Sequence, residues 1–208
     1  MQAIATLVPD TEIYSIDECF ADVRGMDALR DLGLSLKARV WQWVGIPTCV
    51  GIAPTKTLAK LCNHLAKRYP NHFSGVVVWN DWDQDIQRRA MQSTAVTDLW
   101  GIGRRIGVSL AEQGIQSVWD FHQADTQTLR RQFGVVIERT QRELQGLPCQ
   151  GLNPAEANKH NLIRSRSFGK GVTDLESLQS AISHHISSGA EALRVQHSQA
   201  NTISVFIH

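Results

Sequence analysis

The spacing of apolar residues changes repeatedly over the first eighty positions, and this alternation limits the folds that the chain can adopt. Residues 12–23 predict a strand, a tight bend rich in acidic side chains, and a second strand. The patterns that follow are helical over 28–44, extended over 47–53, helical again from Thr55, and extended over 75–79. Short extended runs that alternate with helices predict a sheet with helices packed against it.

The segment after Asp81 has a different character. Its helical patterns, from 82 to 146, are short and are interrupted by glycines, which predicts a second, all-helical unit. Residues 146–160 contain two prolines and two glycines and little apolar periodicity, which predicts a linker.

A third pattern begins beyond the predicted linker. It predicts a strand over 161–168, a strand over 201–208, and between them a helix with one apolar side formed by Leu178, Ile182, Ile186 and Leu193. Two strands and one helix bury a very thin core. We therefore expect this unit either to pack on something else or to be only part of a domain.

Composition argues against several classes of protein. The chain has 208 residues, 42% of them hydrophobic and 20% charged, which is ordinary for a folded protein and unlike a disordered chain or a coiled coil. The sequence has no run of eighteen apolar residues and no signal-peptide pattern, so we expect a cytoplasmic protein with no membrane partner. The four cysteines form no Cys-x-x-Cys pair, which favours reduced, packed thiols over a zinc site.

The net charge of +1 hides a strong segregation of charge along the chain. Residues 1–36 carry two basic and seven acidic side chains, whereas residues 37–70 carry six basic side chains and no acidic one. Divalent cations prefer oxygen ligands, and phosphates prefer lysine and arginine. The segregation suits a metal site beside a polyanion site, although chance clustering on solvated faces would produce the same pattern.

Asp17 and Glu18, in the sequence Ser-Ile-Asp-Glu, are the sharpest candidates for metal ligands. Neighbouring residues of a regular strand point to opposite faces, so the two side chains can share a cation only if the backbone bends here. The predicted bend supplies that geometry, and Mg²⁺ is commonly held by one or two carboxylates together with substrate phosphates. The alternative is that these acids simply decorate an exposed turn.

The helix predicted from Thr55 places three lysines on one face. At about 100° per residue, Lys56, Lys60 and Lys67 lie opposite the apolar stripe, together with Asn63. An exposed helix face more often mixes charges of both signs, and no acidic residue occurs nearby in the sequence. A triphosphate would fit this face, and a solvated lysine face is the alternative.

Residues 99–105 predict a glycine turn that opens a helix. The turn consists of Gly101, Ile102 and Gly103, and the first helical turn contains Arg104 and Arg105. Glycines permit close approach to backbone amides, which attract phosphate at a helix N-terminus, and the arginines there oppose the helix dipole unless an anion is bound. The motif favours a helix-hairpin-helix contact with DNA phosphates, with a purely structural turn as the alternative.

Two further arginines are candidates for contact with a nucleic-acid backbone. Arg164 and Arg166 alternate along the strand predicted at 161–168, which would place both side chains on one face. Two arginines on an exposed strand need no function, however.

Several segments, taken in order, resemble one known family, the Y-family translesion DNA polymerases and in particular their UmuC-like members. The matching segments are YSIDE (14–18), VGIAPTKTLAKLCNHLAKR (50–68), GVVVW (75–79), DLWGIGRRI (98–106), VVIERTQREL (135–144), SRSFG (165–169) and TDLESLQSAI (173–182). Their order and spacing agree with the family over nearly the whole chain.

The resemblance implies roles for most of the candidate residues. It matches Asp17 and Glu18 to carboxylates that hold two Mg²⁺ ions, and Lys67 to a lysine on the incoming triphosphate. It matches residues 101–103 to a helix-hairpin-helix contact with DNA phosphates. The implied reaction is template-directed addition of a deoxynucleotide to the 3′ end of a primer during DNA repair and damage tolerance.

The resemblance also implies a multi-domain α+β fold. It comprises a partial palm (a sheet with packed helices) over 1–82, an all-helical thumb with the helix-hairpin-helix element over 83–148, a linker over 149–160, and a partial little finger (strand, helix, strand) over 161–208. The implied partners are primer–template DNA, a deoxynucleoside triphosphate, a UmuD-type accessory subunit, RecA and the sliding clamp.

The family pattern contains more than these segments. A first strand with another metal-binding aspartate, the fingers, and the remaining little-finger strands have no counterpart in this sequence. We therefore expect that the chain alone does not extend a primer, and templated extension above background would contradict this expectation. Two other interpretations stay open: a DNA-binding module without catalysis, and an unrelated metal-dependent phosphotransferase in which Asp10 or Asp22 supplies a third carboxylate.

Overall fold

The computed structural model describes residues 1–153 and 161–207. The chain divides into two compact units, Met1–Pro154 and Ala155–His208. Residues 154–160 of the predicted linker lie outside the described residues. No helix of the described ranges is long and apolar enough to cross a membrane.

The first half of the larger unit contains the predicted mixture of strands and helices. The elements are α1 (Gln2–Ala5), β1 (Thr11–Ile13), β2 (Cys19–Ala21), α2 (Leu29–Val44), β3 (Val50–Ile52), α3 (Lys56–Arg68), α4 (Pro70–Phe73), β4 (Val76–Val78) and a 3₁₀ turn (Trp79–Asp81). The hairpin, both long helices and both later strands are thereby confirmed.

The four strands form two separate pairs instead of the single sheet that the sequence predicts. β1 and β2 are antiparallel, with Ile13 opposite Cys19. β3 and β4 are parallel, with Val50 opposite Val76, because α3 crosses over between them. No ladder joins the two pairs within the described residues. Apolar periodicity identifies a strand, but only tertiary packing determines its neighbour in a ladder.

Helix α3 is the element on which the rest of the unit packs. The Thr55 hydroxyl caps it by accepting from the Leu58 N–H at 3.3 Å. Its backbone lies so close to β3 that a Cβ added at Gly51 would stand 2.2 Å from the Ala59 carbonyl oxygen. The apolar stripe of α3 is buried in the main core, so its lysine face is left for the hairpin.

The second half of the larger unit is helical, as predicted. Its elements are α5 (Gln84–Gln92), a 3₁₀ turn (Val96–Asp98), α6 (Arg104–Ala111), α7 (Val118–Gln123), α8 (Thr126–Phe133) and α9 (Val135–Leu144). Phe121, Leu110 and Leu129 are buried in the same cluster as the apolar stripe of α3. One continuous core therefore joins the helical half to α3.

The smaller unit contains one long helix, α10 (Leu175–Val195), as predicted. The strands predicted at 161–168 and 201–208 are wrong for the residues described there, because neither segment takes part in a ladder. A strand is stabilised by hydrogen bonds to a neighbouring strand, which local sequence does not supply. Consistent with the thin core expected from the sequence, no residue of α10 is buried.

Candidate metal centre and nucleic-acid interface

The bend between β1 and β2 carries Asp17 and Glu18. The backbone N–H groups of Tyr14 and Ser15 both donate to the Glu18 carbonyl oxygen at 3.0 Å, which closes the bend. The side chain of Ile16 at its tip is 100% exposed, and Asp17 is exposed beside it. The predicted bend is confirmed, and it presents both carboxylates outside the regular strand geometry.

Asp17 is held in its ionised form. The Ser15 hydroxyl donates to Asp17 Oδ1 at 2.6 Å, and this hydrogen bond is the main cause that lowers the pKa of Asp17. The backbone N–H of Asp17 and the charges of Lys60 and Lys67 lower this pKa further. An exposed, deprotonated carboxylate of this kind is a suitable cation ligand.

Glu18 forms an ion pair with the middle of α3. Its Oε1 atom lies 2.6 Å from Lys60 Nζ, and the side chains are 42% and 21% exposed, respectively. Lys60 also influences Asp17 electrostatically, so one lysine of α3 acts on both carboxylates. Lys60 therefore contacts Glu18 directly and lies within electrostatic range of Asp17.

A second lysine of α3 binds the hairpin one helical turn earlier. Lys56 Nζ lies 2.6 Å from Glu12 Oε2, and these side chains are 11% and 16% exposed. Burial raises the pKa of Glu12, but hydrogen bonds from Lys56 and from the Asn153 backbone N–H outweigh it, so this pKa is lowered overall. The pair is a largely buried attachment of β1 to α3.

The lysine face is therefore only partly available to a triphosphate. Lys56 and Lys60 are neutralised by acids from the hairpin, and the Asn63 amide donates to the Cys49 carbonyl oxygen at 2.7 Å. Lys67 is exposed and has no ion pair within the described ranges. The acids missing from the sequence around α3 are supplied by β1 and the bend.

The donor set fits a divalent cation that takes its other ligands from substrate or water. Two adjacent carboxylates supply the oxygen atoms that Mg²⁺ prefers. Residues 1–153 and 161–207 contain no group of three His, Cys, Asp or Glu side chains able to hold a metal ion. Asp22, one of the two possible third ligands, is instead bound by the Arg24 guanidinium. Within the described residues, no third carboxylate therefore joins Asp17 and Glu18 as a possible metal ligand.

An aromatic cluster joins the hairpin to the glycine turn. The rings of Tyr14, Phe20 and Trp100 lie with centroids 5.5 to 5.6 Å apart. Trp100 Nε1–H also donates to the Tyr14 hydroxyl oxygen at 3.1 Å. Sequence reasoning missed this cluster, because nothing in the two motifs indicates that they touch.

The glycine turn opens helix α6 as predicted. Gly101 adopts a φ of 90°, which favours glycine, while Ile102 is buried in the core and Gly103 is the N-cap of α6. No side chain of the described residues caps this helix, so its first N–H groups are available to an anion. Arg104 and Arg105 are exposed and form no ion pair within the described part of the chain.

Arg164 and Arg166 are exposed in the smaller unit. Arg164 Nε donates to the Ser188 hydroxyl of α10 at 3.2 Å. The segment is not a paired strand, so the alternation that placed both arginines on one face no longer applies.

A buried carboxylate joins α9 to the start of α3. Glu143 is fully buried, and its oxygens accept from the Thr57 N–H, the Thr57 hydroxyl, the Cys149 N–H and the Gln150 N–H. Its backbone carbonyl accepts from the Thr55 hydroxyl at 2.8 Å. The only sequence signal is an acid on the apolar side of the pattern over 135–144, and that signal does not identify the partners.

Two family models match the chain. The model of the impB/mucB/samB family matches residues 1–64, and the model of its C-terminal domain matches residues 159–208. Curated relatives include the protein UmuC of Salmonella typhimurium, which is 41% identical over 100% of this chain and 49% of its own length. The protein MucB of Escherichia coli is 41% identical over 98% of this chain and 49% of its own length. The chain spans about half the length of these relatives.

DNA polymerases are also similar to the chain in sequence and in fold. DNA polymerase IV of Moorella thermoacetica is 30% identical over 83% of this chain and 41% of its own length. The insertion ternary complex of Dbh DNA polymerase has a TM-score of 0.54 at 25% identity, over 69% of this chain and 41% of that one. A Y-family DNA polymerase chimera has a TM-score of 0.61 at 18% identity, and the match covers 92% of this chain and 54% of the chimera. This match shows that the two chains share the α+β fold. The chain therefore belongs to the impB/mucB/samB family of UmuC-like Y-family DNA polymerases.

Proposed function

We propose that this chain is part of a translesion DNA polymerase that adds deoxynucleotides to a primer with Mg²⁺ as cofactor. The observation that carries the proposal is the bend that presents Asp17 and Glu18 together beside the lysines of α3. The similarity to proteins named UmuC and DNA polymerase IV supports it. The activity of the whole relatives, which are about twice as long, is extended to this chain only as a proposal.

Each candidate residue has a part in the proposed reaction. Asp17 and Glu18 supply carboxylate oxygens to the metal, and Lys67, exposed on α3, binds the triphosphate. Bound Mg²⁺ would lower the pKa of the primer hydroxyl and neutralise charge on the departing pyrophosphate. The first backbone amides of α6, which follow the turn at 101–103, hold DNA backbone phosphates together with the side chains of Arg104 and Arg105.

The domain assignments belong to the same proposal. Residues 1–82 act as palm, 83–148 as thumb, 149–160 as linker and 161–208 as little finger, where Arg164 and Arg166 contact the DNA backbone. A UmuD-type subunit, RecA and the sliding clamp, together with a cytoplasmic location, are the partners and setting that the family resemblance implies.

The DNA contact is tested by removing Arg104 and Arg105 together. We expect Arg104→Ala/Arg105→Ala to weaken binding of a primer–template duplex about tenfold or more and to reduce the salt slope by about 2, since each lost phosphate contact removes about 0.9 from the slope. Fluorescence anisotropy at several salt concentrations measures both quantities. The matched control is Arg88→Ala/Arg89→Ala, which removes the same charge from α5. If both double variants lose the same amount of DNA affinity, Arg104 and Arg105 make no specific phosphate contact and act only through general electrostatic attraction.

The metal contact is tested with Asp17→Ala and Mn²⁺ as the probe. Titration followed by electron paramagnetic resonance should show one site fewer in the variant than in the parent. Asp22→Asn, which changes an acid already bound by Arg24, is the control. If Asp17→Ala binds Mn²⁺ like the parent while DNA binding persists, a DNA-binding module without catalysis replaces the polymerase assignment.

A further inference from the structure

Two lysines of α3 make the same kind of contact with the hairpin. Lys56 Nζ lies between the Glu12 carboxylate, at 2.6 Å, and the Phe20 ring, at 5.0 Å from its centroid. Lys60 Nζ lies between the Glu18 carboxylate, at 2.6 Å, and the Tyr14 ring, at 5.7 Å. Each ammonium therefore contacts one carboxylate and one aromatic face of the hairpin.

The two contacts differ in accessibility and in the number of donors. Glu12 accepts a second hydrogen bond from the Asn153 N–H, and its side chain is largely buried. Glu18 is held only by Lys60 within the described ranges, is 42% exposed, and adjoins the exposed Asp17. Of the two pairs, Lys60–Glu18 is therefore the more accessible to an ion that arrives from solvent.

We propose that Lys60 is the internal counter-ion of the metal site, and that a divalent cation must displace its ammonium from Glu18 in order to bind. This inference rests on the proposed metal site at Asp17 and Glu18. In the exchange, the ammonium–carboxylate hydrogen bond breaks and a cation–carboxylate contact forms, with no change of protonation. Lys60 is in this sense a positioning residue, because it sets where the Glu18 carboxylate lies before the metal arrives.

Electrostatics gives the exchange its direction. Without a metal, the two adjacent carboxylates repel each other, and Lys60 offsets that repulsion. A divalent cation carries twice the charge and binds both carboxylates, so it outcompetes the ammonium. The displaced ammonium keeps the Tyr14 ring as a neighbour and is free to meet an anionic group that accompanies the metal, such as a phosphate.

The exchange predicts that removal of Lys60 strengthens metal binding. A partly exposed ion pair is weak, so the gain expected in Mn²⁺ affinity for Lys60→Met is about fivefold. Lys60→Arg keeps the competing charge and should bind Mn²⁺ no more tightly than the parent. Lys56→Met is the matched control, since it removes the same charge one turn away from a pair that the metal does not contact; it should leave the affinity within about twofold.

The experiment is Mn²⁺ titration of the 208-residue chain by electron paramagnetic resonance, with circular dichroism to verify folding. A gain confined to Lys60→Met supports the inference. Equal or weaker binding in Lys60→Met than in the parent overturns it, and so does a gain of the same size in Lys60→Arg. If Lys60→Met does not fold, Lys60→Gln replaces it and is judged in the same way.

Failure of this inference is distinguishable from failure of the proposed function. If Asp17→Ala loses Mn²⁺ while Lys60→Met gains nothing, the metal site stands and Lys60 is not its counter-ion. If Asp17→Ala and the parent bind Mn²⁺ alike, the proposed metal site itself is absent, and the inference is overturned with it.

Discussion

Two glutamates attach other elements to helix α3, and they are held in opposite ways. Glu18, on the bend, is partly exposed and is held by the single ammonium of Lys60. Glu143, on α9, is fully buried and is held by four fixed N–H and O–H donors. A carboxylate surrounded by fixed donors has no partner to exchange, whereas one held by a flexible lysine can exchange it for another cation. The arrangement at Glu143 therefore serves stability, and the arrangement at Glu18 suits ligand binding.

The largest effect is expected at the buried glutamate. Glu143→Gln places an amide NH₂ where N–H donors already point, so at least one buried donor loses its acceptor. We expect a loss of about 3 kcal/mol in the free energy of unfolding, measured by urea titration. The control, Glu112→Gln on the surface, should change it by about 0.5 kcal/mol or less. A loss below about 1 kcal/mol at Glu143 would remove the contrast between the two glutamates.

A smaller loss of stability is expected at Lys56, because its pair with Glu12 is less buried than Glu143 and more buried than the Lys60–Glu18 pair. Lys56→Met leaves the Glu12 carboxylate largely buried with only the Asn153 N–H as a donor. We expect unfolding by urea to show a loss of about 1–2 kcal/mol, against about 0.5 kcal/mol or less for Lys60→Met, whose pair is more exposed. Equal losses in the two variants would mean that burial does not separate the two ion pairs.

The acid dependence of stability tests Glu12 directly. The pKa of Glu12 is lower in the folded chain than in the unfolded chain, despite the opposing effect of burial. The stability that this difference contributes is therefore fully present above the ordinary glutamate pKa and is lost as the pH falls through the lowered folded value. Urea unfolding from about pH 7 to about pH 3 should show that Glu12→Gln has a shallower acid-side decline than the parent. If the free energy of unfolding depends on pH in the same way in the parent and in Glu12→Gln, Glu12 is not a source of the acid-side loss of stability.

The smallest effect on stability is expected at Glu18. Glu18→Gln removes an exposed partner of Lys60, so the free energy of unfolding should change by about 0.5 kcal/mol or less. The same substitution should markedly weaken Mn²⁺ binding, because it removes one of two ionised ligands. Stability from urea titration and affinity from Mn²⁺ titration are measured on the same preparation. A large loss of stability with unchanged Mn²⁺ binding would mean that Glu18, like Glu143, serves stability and is not a metal ligand.

Local patterns predicted the elements that surround the site. The start of α3 after Thr55, its apolar stripe, the bend at Asp17 and the turn that opens α6 were all predicted correctly, because each depends on residues within one or two helical turns. The partners of the lysines were not predicted. Glu12 and Glu18 are 44 and 42 positions away from Lys56 and Lys60, and spacing along one helix carries no information about them.

Long-range pairing explains the other misses as well. Glu143 binds Thr57 across 86 positions, and Trp100 binds Tyr14 across the same separation. The strands predicted at 161–168 and 201–208 failed for a related reason, since an extended run becomes a strand only when another strand is beside it. Each error concerns a contact between segments that are distant in the sequence. Most of the helices and strands themselves were predicted correctly.

Local sequence was enough to predict the main helices and strands of residues 12–79, the bend that carries Asp17 and Glu18, the glycine turn with its two arginines, and the segregation of acid from base. Capping, periodicity and turn formation act over a few residues, so they can be read from short segments. Folding, and not local sequence, brings the acids of the hairpin to two lysines of α3 and brings Glu143 of α9 to the same helix. A charge has no fixed partner until folding brings distant segments together. Folding also excludes water from Glu143 and largely from the Lys56–Glu12 pair but leaves the Lys60–Glu18 pair accessible, and this difference in exposure makes only the last pair exchangeable.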